Sequence, residues 1–206
     1  MSNEWSEPHR VTDYLSREIP HRHLAEAMLV EALPRRIDRL LDLGTGDGRL
    51  ISLVREAHPQ ARAVGLDLSE PMLARAGARF DGDGSVELRA HDLGEPLPPG
   101  EKFDAIVSGL AIHHLEDARK RETFAEIREL LRPGGVFANL DLVESASPEL
   151  HDRFRKEIGR LEDDPADRLA DLSAQLGWLR DAGFENVECH FKWLELTLVA
   201  ATRPPG

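Results

Sequence analysis

The chain has 206 residues, 41% of them hydrophobic, and a net charge of −12. That length suits one domain with elaborations, and that apolar share fills a core. The excess of carboxylates argues against a nucleic-acid partner held through its phosphates, and without a run of about eighteen apolar residues no membrane span is expected.

The first residues, Met1 to Glu7, are acidic and polar, unlike the basic start and apolar centre of a signal peptide. The single cysteine, Cys189, cannot form an internal disulfide, so a cytoplasmic location is expected. Pro20 and Pro34 bracket a helix over His21–Leu33, with Leu24, Ala27, Met28 and Ala32 on its apolar face. A weaker helix covers Val11–Arg17. Residues 1–36 are too few for a domain and should pack on the main one, residues 37–206.

From Ile37 the pattern alternates. Short apolar runs at Arg39–Leu43, Arg62–Leu66, Ser85–Ala90, Phe103–Gly109, Gly135–Leu140, Val187–Phe191 and Leu194–Thr202 read as strands. Helices are expected over Gly48–Ala57, Glu70–Phe80 and Ala118–Leu131. The region Pro148–Ala182 should split into two at Glu162-Asp163-Asp164-Pro165. Such alternation predicts an α/β fold with a mostly parallel sheet covered on both faces. Only Lys192 and Trp193 separate the last two strands, so these form a hairpin and one of them runs antiparallel.

The motif at the first strand is Asp42-Leu43-Gly44-Thr45-Gly46-Asp47-Gly48. The three glycines stand at alternate positions. Their spacing differs from the dinucleotide fingerprint, and Asp42 and Asp47 would repel a pyrophosphate. A ligand with cationic groups fits better. After the second strand, Asp67 can accept both hydroxyls of a ribose, and Ser69 caps the following helix. Asp92 and Leu93 follow the third strand, where a carboxylate can accept an adenine amino group. Ser108 ends the fourth strand, and His113 and His114 occupy the loop beyond it. Pro133-Gly134 turns the chain into the fifth strand.

In this order and spacing the motifs resemble those of the class I S-adenosylmethionine (SAM)-dependent methyltransferases, from about Leu40 to Thr202. The resemblance implies a Rossmann-like three-layer sandwich with a seven-stranded sheet and an antiparallel C-terminal strand. It implies that Asp42, Gly44, Thr45, Gly46 and Gly48 surround the methionine portion of SAM, with Ser108 nearby. It places Asp67 at the ribose, Asp92 and Leu93 at the adenine, and Leu68 and Met72 as apolar contacts. Small single-domain members imply a small-molecule acceptor methylated by direct displacement, with S-adenosylhomocysteine as product. Their first helices often close the pocket, which makes residues 1–36 a lid and puts Tyr14 near the acceptor.

A base is needed only if the acceptor must lose a proton; His113, His114 and His21 are the candidates. Adjacent side chains diverge, so at most one of His113 and His114 faces the reaction chamber. No metal is expected: neither His21-x-His23 nor His113 and His114 with Glu116 and Asp117 has the spacing of a closed site. Phe191, Trp193 and Leu196 form either a homodimer edge or core. Two alternatives stand beside the methyltransferase. One is a tRNA wobble-uridine modifying enzyme using a carboxylated SAM, with Arg10, Arg22 or Arg49 against the extra carboxylate. The other is a SAM-binding regulator without turnover.

Overall fold

The apolar runs pair into one seven-stranded sheet in the computed structural model, which describes residues 18–160 and 162–206. Strands β1 (Arg39–Leu43), β2 (Arg62–Asp67), β3 (Val86–Ala90), β4 (Phe103–Gly109) and β5 (Leu131–Leu142) run parallel. Strands β6 (Glu185–Trp193) and β7 (Leu196–Thr202) form the hairpin, and β7 pairs antiparallel with β5. The order is β3-β2-β1-β4-β5-β7-β6. The order reverses between β1 and β4, so the crevice beyond their carboxyl ends is where a ligand belongs.

Alternation along each strand divides the core in two. Leu40, Ala105, Val107 and Leu140 face helices α1 (Arg22–Ala32) and α2 (Arg49–Ala57), and Phe154 of α5 (Pro148–Glu157) joins them. Leu41, Ile106 and Phe137 face the other way, onto α4 (Asp117–Leu130) and α6 (Leu172–Asp181). Helix α3 (Glu70–Arg79) lies against β2 and β3. Its start is set by Ser69, whose hydroxyl accepts from Met72 N at 3.4 Å, and by Pro71 in its first turn.

Three local expectations need correction. The buried face of α1 is Ala25, Leu29 and Leu33, while Leu24 is 48% and Met28 37% exposed. Two apolar stripes one residue apart run along this helix, and periodicity cannot choose between them. Burial follows the stripe that also turns Glu26 inward, where Arg22 and Arg49 pair with it at 2.8 and 2.6 Å. Second, the hairpin turn is Leu194-Glu195, not Lys192-Trp193, because Trp193 pairs with Leu196. Leu194 takes a left-handed φ of 50°, and Glu195 is held below it by Ser145 and His151 at 2.5 and 2.6 Å. Third, β5 begins at Leu131, before Pro133-Gly134. Leu131 already pairs with Phe103, and Gly134 and Gly135 bond to Arg203, with a register shift across the turn.

Among residues 18–36, α1 packs on β5, β7 and α2, inside the main core. Leu196 is buried in that core, and Phe191 and Trp193 are half-buried against it. Among the described residues no helix is long and apolar enough to cross a membrane.

Candidate functional site

The glycine loop leaves β1 at the order reversal and is pinned to β2: Gly44 N and Thr45 N both donate to the Leu66 carbonyl, at 2.8 and 2.9 Å. Gly44 combines a φ of 70° with a tight approach, since a Cβ there would lie 2.2 Å from that of Ala111. Any larger residue loses both the conformation and the space. A Cβ on Gly46 would meet nothing within 4 Å, because it faces an open cleft. Gly48 is different: it caps α2 and makes room for the Phe80 ring.

The cleft opens beyond the ends of β1, β2 and β4. Of the residues expected at the cofactor, Gly44, Gly46, Asp67, Leu68, Met72 and Leu93 border it. Ser69, Gly109, Leu110 and Ala111 border it too, and the sequence reading did not assign them. They follow Asp67 and Ser108 directly, so the signal was present: chain leaving a strand end turns over the ligand. The other assigned residues build the frame. Ser108 is fully buried and donates to the Leu43 carbonyl at 2.9 Å. Asp92 accepts from Gly94 N at 2.7 Å within its own turn and does not border the cleft. Asp47 is paired with Arg79, so it adds less repulsion toward an anion than the sequence suggested.

Two carboxylates set the electrostatics. Asp67 accepts from Gly46 N on one oxygen and from Ser69 N on the other, at 2.7 and 2.8 Å. The Leu68 backbone also bonds to this carboxylate, and an ionised carboxylate, with about four acceptor sites, can still accept from a ligand's vicinal diol. Burial pushes its carboxyl pKa upward against these donors. Asp42 lies beneath the loop, 1% exposed, with Thr45 donating to Oδ2 at 2.7 Å and no partner on Oδ1. Burial, with the nearby Asp67 and Asp47 charges, lifts it to about 7. A buried orphan acceptor lacks a donor or a cation. A diol site, an apolar slot at Leu68, Met72 and Leu93, and uncompensated negative charge together fit a cationic nucleoside.

The adjacent histidines do not diverge as expected: their ring centroids lie 3.9 Å apart and both border a second cleft. His114 and Leu110, the latter at a left-handed φ of 56°, border both the first cleft and the second. His113 borders only the second cleft, with Ile19 and Arg22. Its Nδ1 meets Asp141 Oδ1 at 2.5 Å, and its Nε2 lies 3.4 Å from Asp167. Burial opposes its charge, but the two carboxylates outweigh burial and raise it to about 9. His114 moves the other way, to about 4, through burial and the neighbouring His113 charge. His21 packs edge-on against Trp193 at 5.1 Å and is not among the residues that line either cleft. Tyr14 and the Val11–Arg17 helix lie outside the described residues.

Comparison with known proteins agrees with this geometry. Residues 40–135 match the family model of a methyltransferase domain. An uncharacterised methyltransferase of Mycobacterium bovis is 35% identical over 118 residues, 57% of either chain. The chain thus spans little more than half the length of the curated relatives it matches. An O-methyltransferase family protein from Burkholderia thailandensis superposes with a TM-score of 0.75 at 21% identity, over 98% of this chain and 62% of its own. A SAM-dependent methyltransferase from Mesorhizobium loti superposes with a TM-score of 0.65 at 26% identity, covering 87% of this chain and 98% of its own.

Proposed function

We propose, from the premise that this chain belongs to the class I SAM-dependent methyltransferases, that its first cleft binds SAM and its second receives a small-molecule acceptor. The observation that carries the reading is Asp67, held by Gly46 and Ser69 with both oxygens still able to accept, opposite an apolar slot.

SAM supplies a methyl group on a positively charged sulfur. The residues supply position and charge. Asp67 holds the ribose hydroxyls. Leu68, Met72 and Leu93 give the adenine an apolar bed. Asp42 lends negative charge behind the loop. Gly44 and Gly46 leave bare backbone at closest approach. Leu110 and His114 mark the passage between the clefts, so the acceptor enters from the side of Ile19 and Arg22. Holding two partners in line supplies roughly 7–11 kcal/mol of a bimolecular barrier without any covalent role for the protein. Of the arginines that a carboxylated cofactor would need, Arg22 and Arg49 are both paired with Glu26, and Arg10 is outside the described residues.

Calorimetry with SAM, S-adenosylhomocysteine and NAD tests the reading. Both sulfur nucleosides should bind and NAD should not. Asp67→Ala should weaken SAM by at least about 10–100-fold, the worth of one hydrogen bond to a charged group, with the circular dichroism spectrum unchanged. NAD binding, or full SAM affinity in that variant, would refute it. Turnover on an acceptor panel separates an enzyme from a binding protein.

A further inference from the structure

The second cleft holds a feature that methyl transfer does not require. His113 and His114 sit on the 3-10 turn Ile112–His114 beyond β4, and Asp167 comes from the loop after α5. Ligand-capable atoms of all three lie within 4.8 Å of one another. Asp167 Oδ1 is 3.4 Å from His113 Nε2 and 3.5 Å from His114 Nδ1. Those gaps are long for hydrogen bonds. They match the edge of a tetrahedron: metal bonds of about 2.0–2.1 Å set two ligands about 3.3 Å apart.

The surroundings hold the three groups in place. Asp141 at the end of β5 takes His113 Nδ1 at 2.5 Å and His113 N at 2.9 Å. A carboxylate behind a histidine orients its other nitrogen, as at zinc sites generally. Arg160 approaches Asp167 on Oδ2, at 3.3 Å, and leaves Oδ1 to the histidines. The Asp167 loop is tied to the turn on its far side: Arg168 N donates to the His113 carbonyl at 2.9 Å, and buried Lys120 donates to the Arg168 carbonyl. His114 Nδ1 also lies 3.2 Å from the Ala166 carbonyl, a weak contact that ligation would replace.

We propose that His113, His114 and Asp167 form a site for a divalent transition cation of the Zn²⁺ class, with its remaining coordination position open to the second cleft. Two histidines and one carboxylate are a ligand set for a catalytic rather than a closed structural metal. The sequence reading expected no metal because it weighed His113 and His114 only with their neighbours Glu116 and Asp117. The third ligand comes from a distant loop. The cation would hold an acceptor oxygen beside His114, but its binding is independent of whether the protein transfers methyl groups.

The test uses tag-free, full-length protein stripped with EDTA. Co²⁺ should bind at one per chain with the intense visible bands of a four-coordinate site, and Zn²⁺ should displace it one for one. His114→Ala and Asp167→Asn should each weaken Zn²⁺ by more than about 100-fold. Asp141→Asn should weaken it roughly 10–100-fold and keep the stoichiometry. Asp163→Asn, on His151 and Arg155 nearby, should bind like the wild type. Circular dichroism shows whether each variant folds. In the wild type, the imidazole nitrogen resonances of His113 and His114 alone should move with Zn²⁺, which locates the site even if a variant does not fold. No saturable binding by the wild type, Zn²⁺ shifts at other histidines, or undiminished binding in folded His114→Ala and Asp167→Asn would each overturn the proposal.

Discussion

Asp42 is the residue whose ionisation this fold changes most usefully. Its folded pKa, about 7, lies above the ordinary 3.8 because burial disfavours the anion. An acid raised on folding stabilises the protein fully below its unfolded pKa, and that contribution is lost as pH rises through about 7. The free protein should therefore lose stability as pH rises from about 3.8 to about 7, and Asp42→Asn should flatten that slope, as thermal denaturation at several pH values would show. A cationic ligand reverses the preference. SAM affinity should climb as pH rises through the same range, and Asp42→Asn should remove the climb in calorimetry. Gly44 makes a second demand at this scale. Gly44→Ala places a Cβ at φ 70° and against Ala111. It should cost roughly 1–2 kcal/mol for the conformation alone, more for the clash, and abolish SAM binding; denaturant unfolding and calorimetry measure the two effects.

At the scale of elements, the strands were legible and the choice of helix face was not. β1 and β4 read as apolar runs bounded by polar residues, and their limits in the structure are those the sequence predicts. The α1 pattern admitted two faces, because Leu24-Met28-Ala32 and Ala25-Leu29-Leu33 have the same spacing. Tertiary packing decided it, and the consequence is measurable. Leu29→Ala should cost roughly 2–5 kcal/mol as a cavity in the core. Leu24→Ala should stay within about 0.5 kcal/mol. Equal costs would show that the helix is rotated from this placement. The β6–β7 turn was misplaced for a related reason. β7 is buried on both faces, so its apolar run carries no alternation to set the register.

At the scale of the molecule, charge and topology act together. A net charge of −12 leaves little to attract a polyphosphate. Filter binding at physiological salt should detect no saturable complex with tRNA, and detecting one would revive the wobble-uridine reading. The second cleft draws on distant parts of the chain: Ile19 and Arg22 near the start, the turn after β4, and the loop carrying Asp164 and Asp167. Deleting residues 1–20 should therefore lower turnover on any acceptor while leaving the SAM Kd unchanged. A weakened SAM Kd would instead place the N-terminal segment over the first cleft.

The sequence by itself determined the sheet, the glycine loop and much of the lining of the first cleft. Those are local features: a strand, its acidic end and the turn that follows are contiguous, so spacing along the chain is spacing in space. Asp67, Leu68 and Met72 reach the cleft for that reason. The second cleft is assembled from segments far apart in sequence, and only the tertiary structure decided it. It brought the His113 and His114 rings to 3.9 Å from one another, shifted their pKa values in opposite directions, and set Asp141 and Asp167 against the His113 ring. Burial beside those carboxylates comes from packing one loop on another, which no period in the chain records.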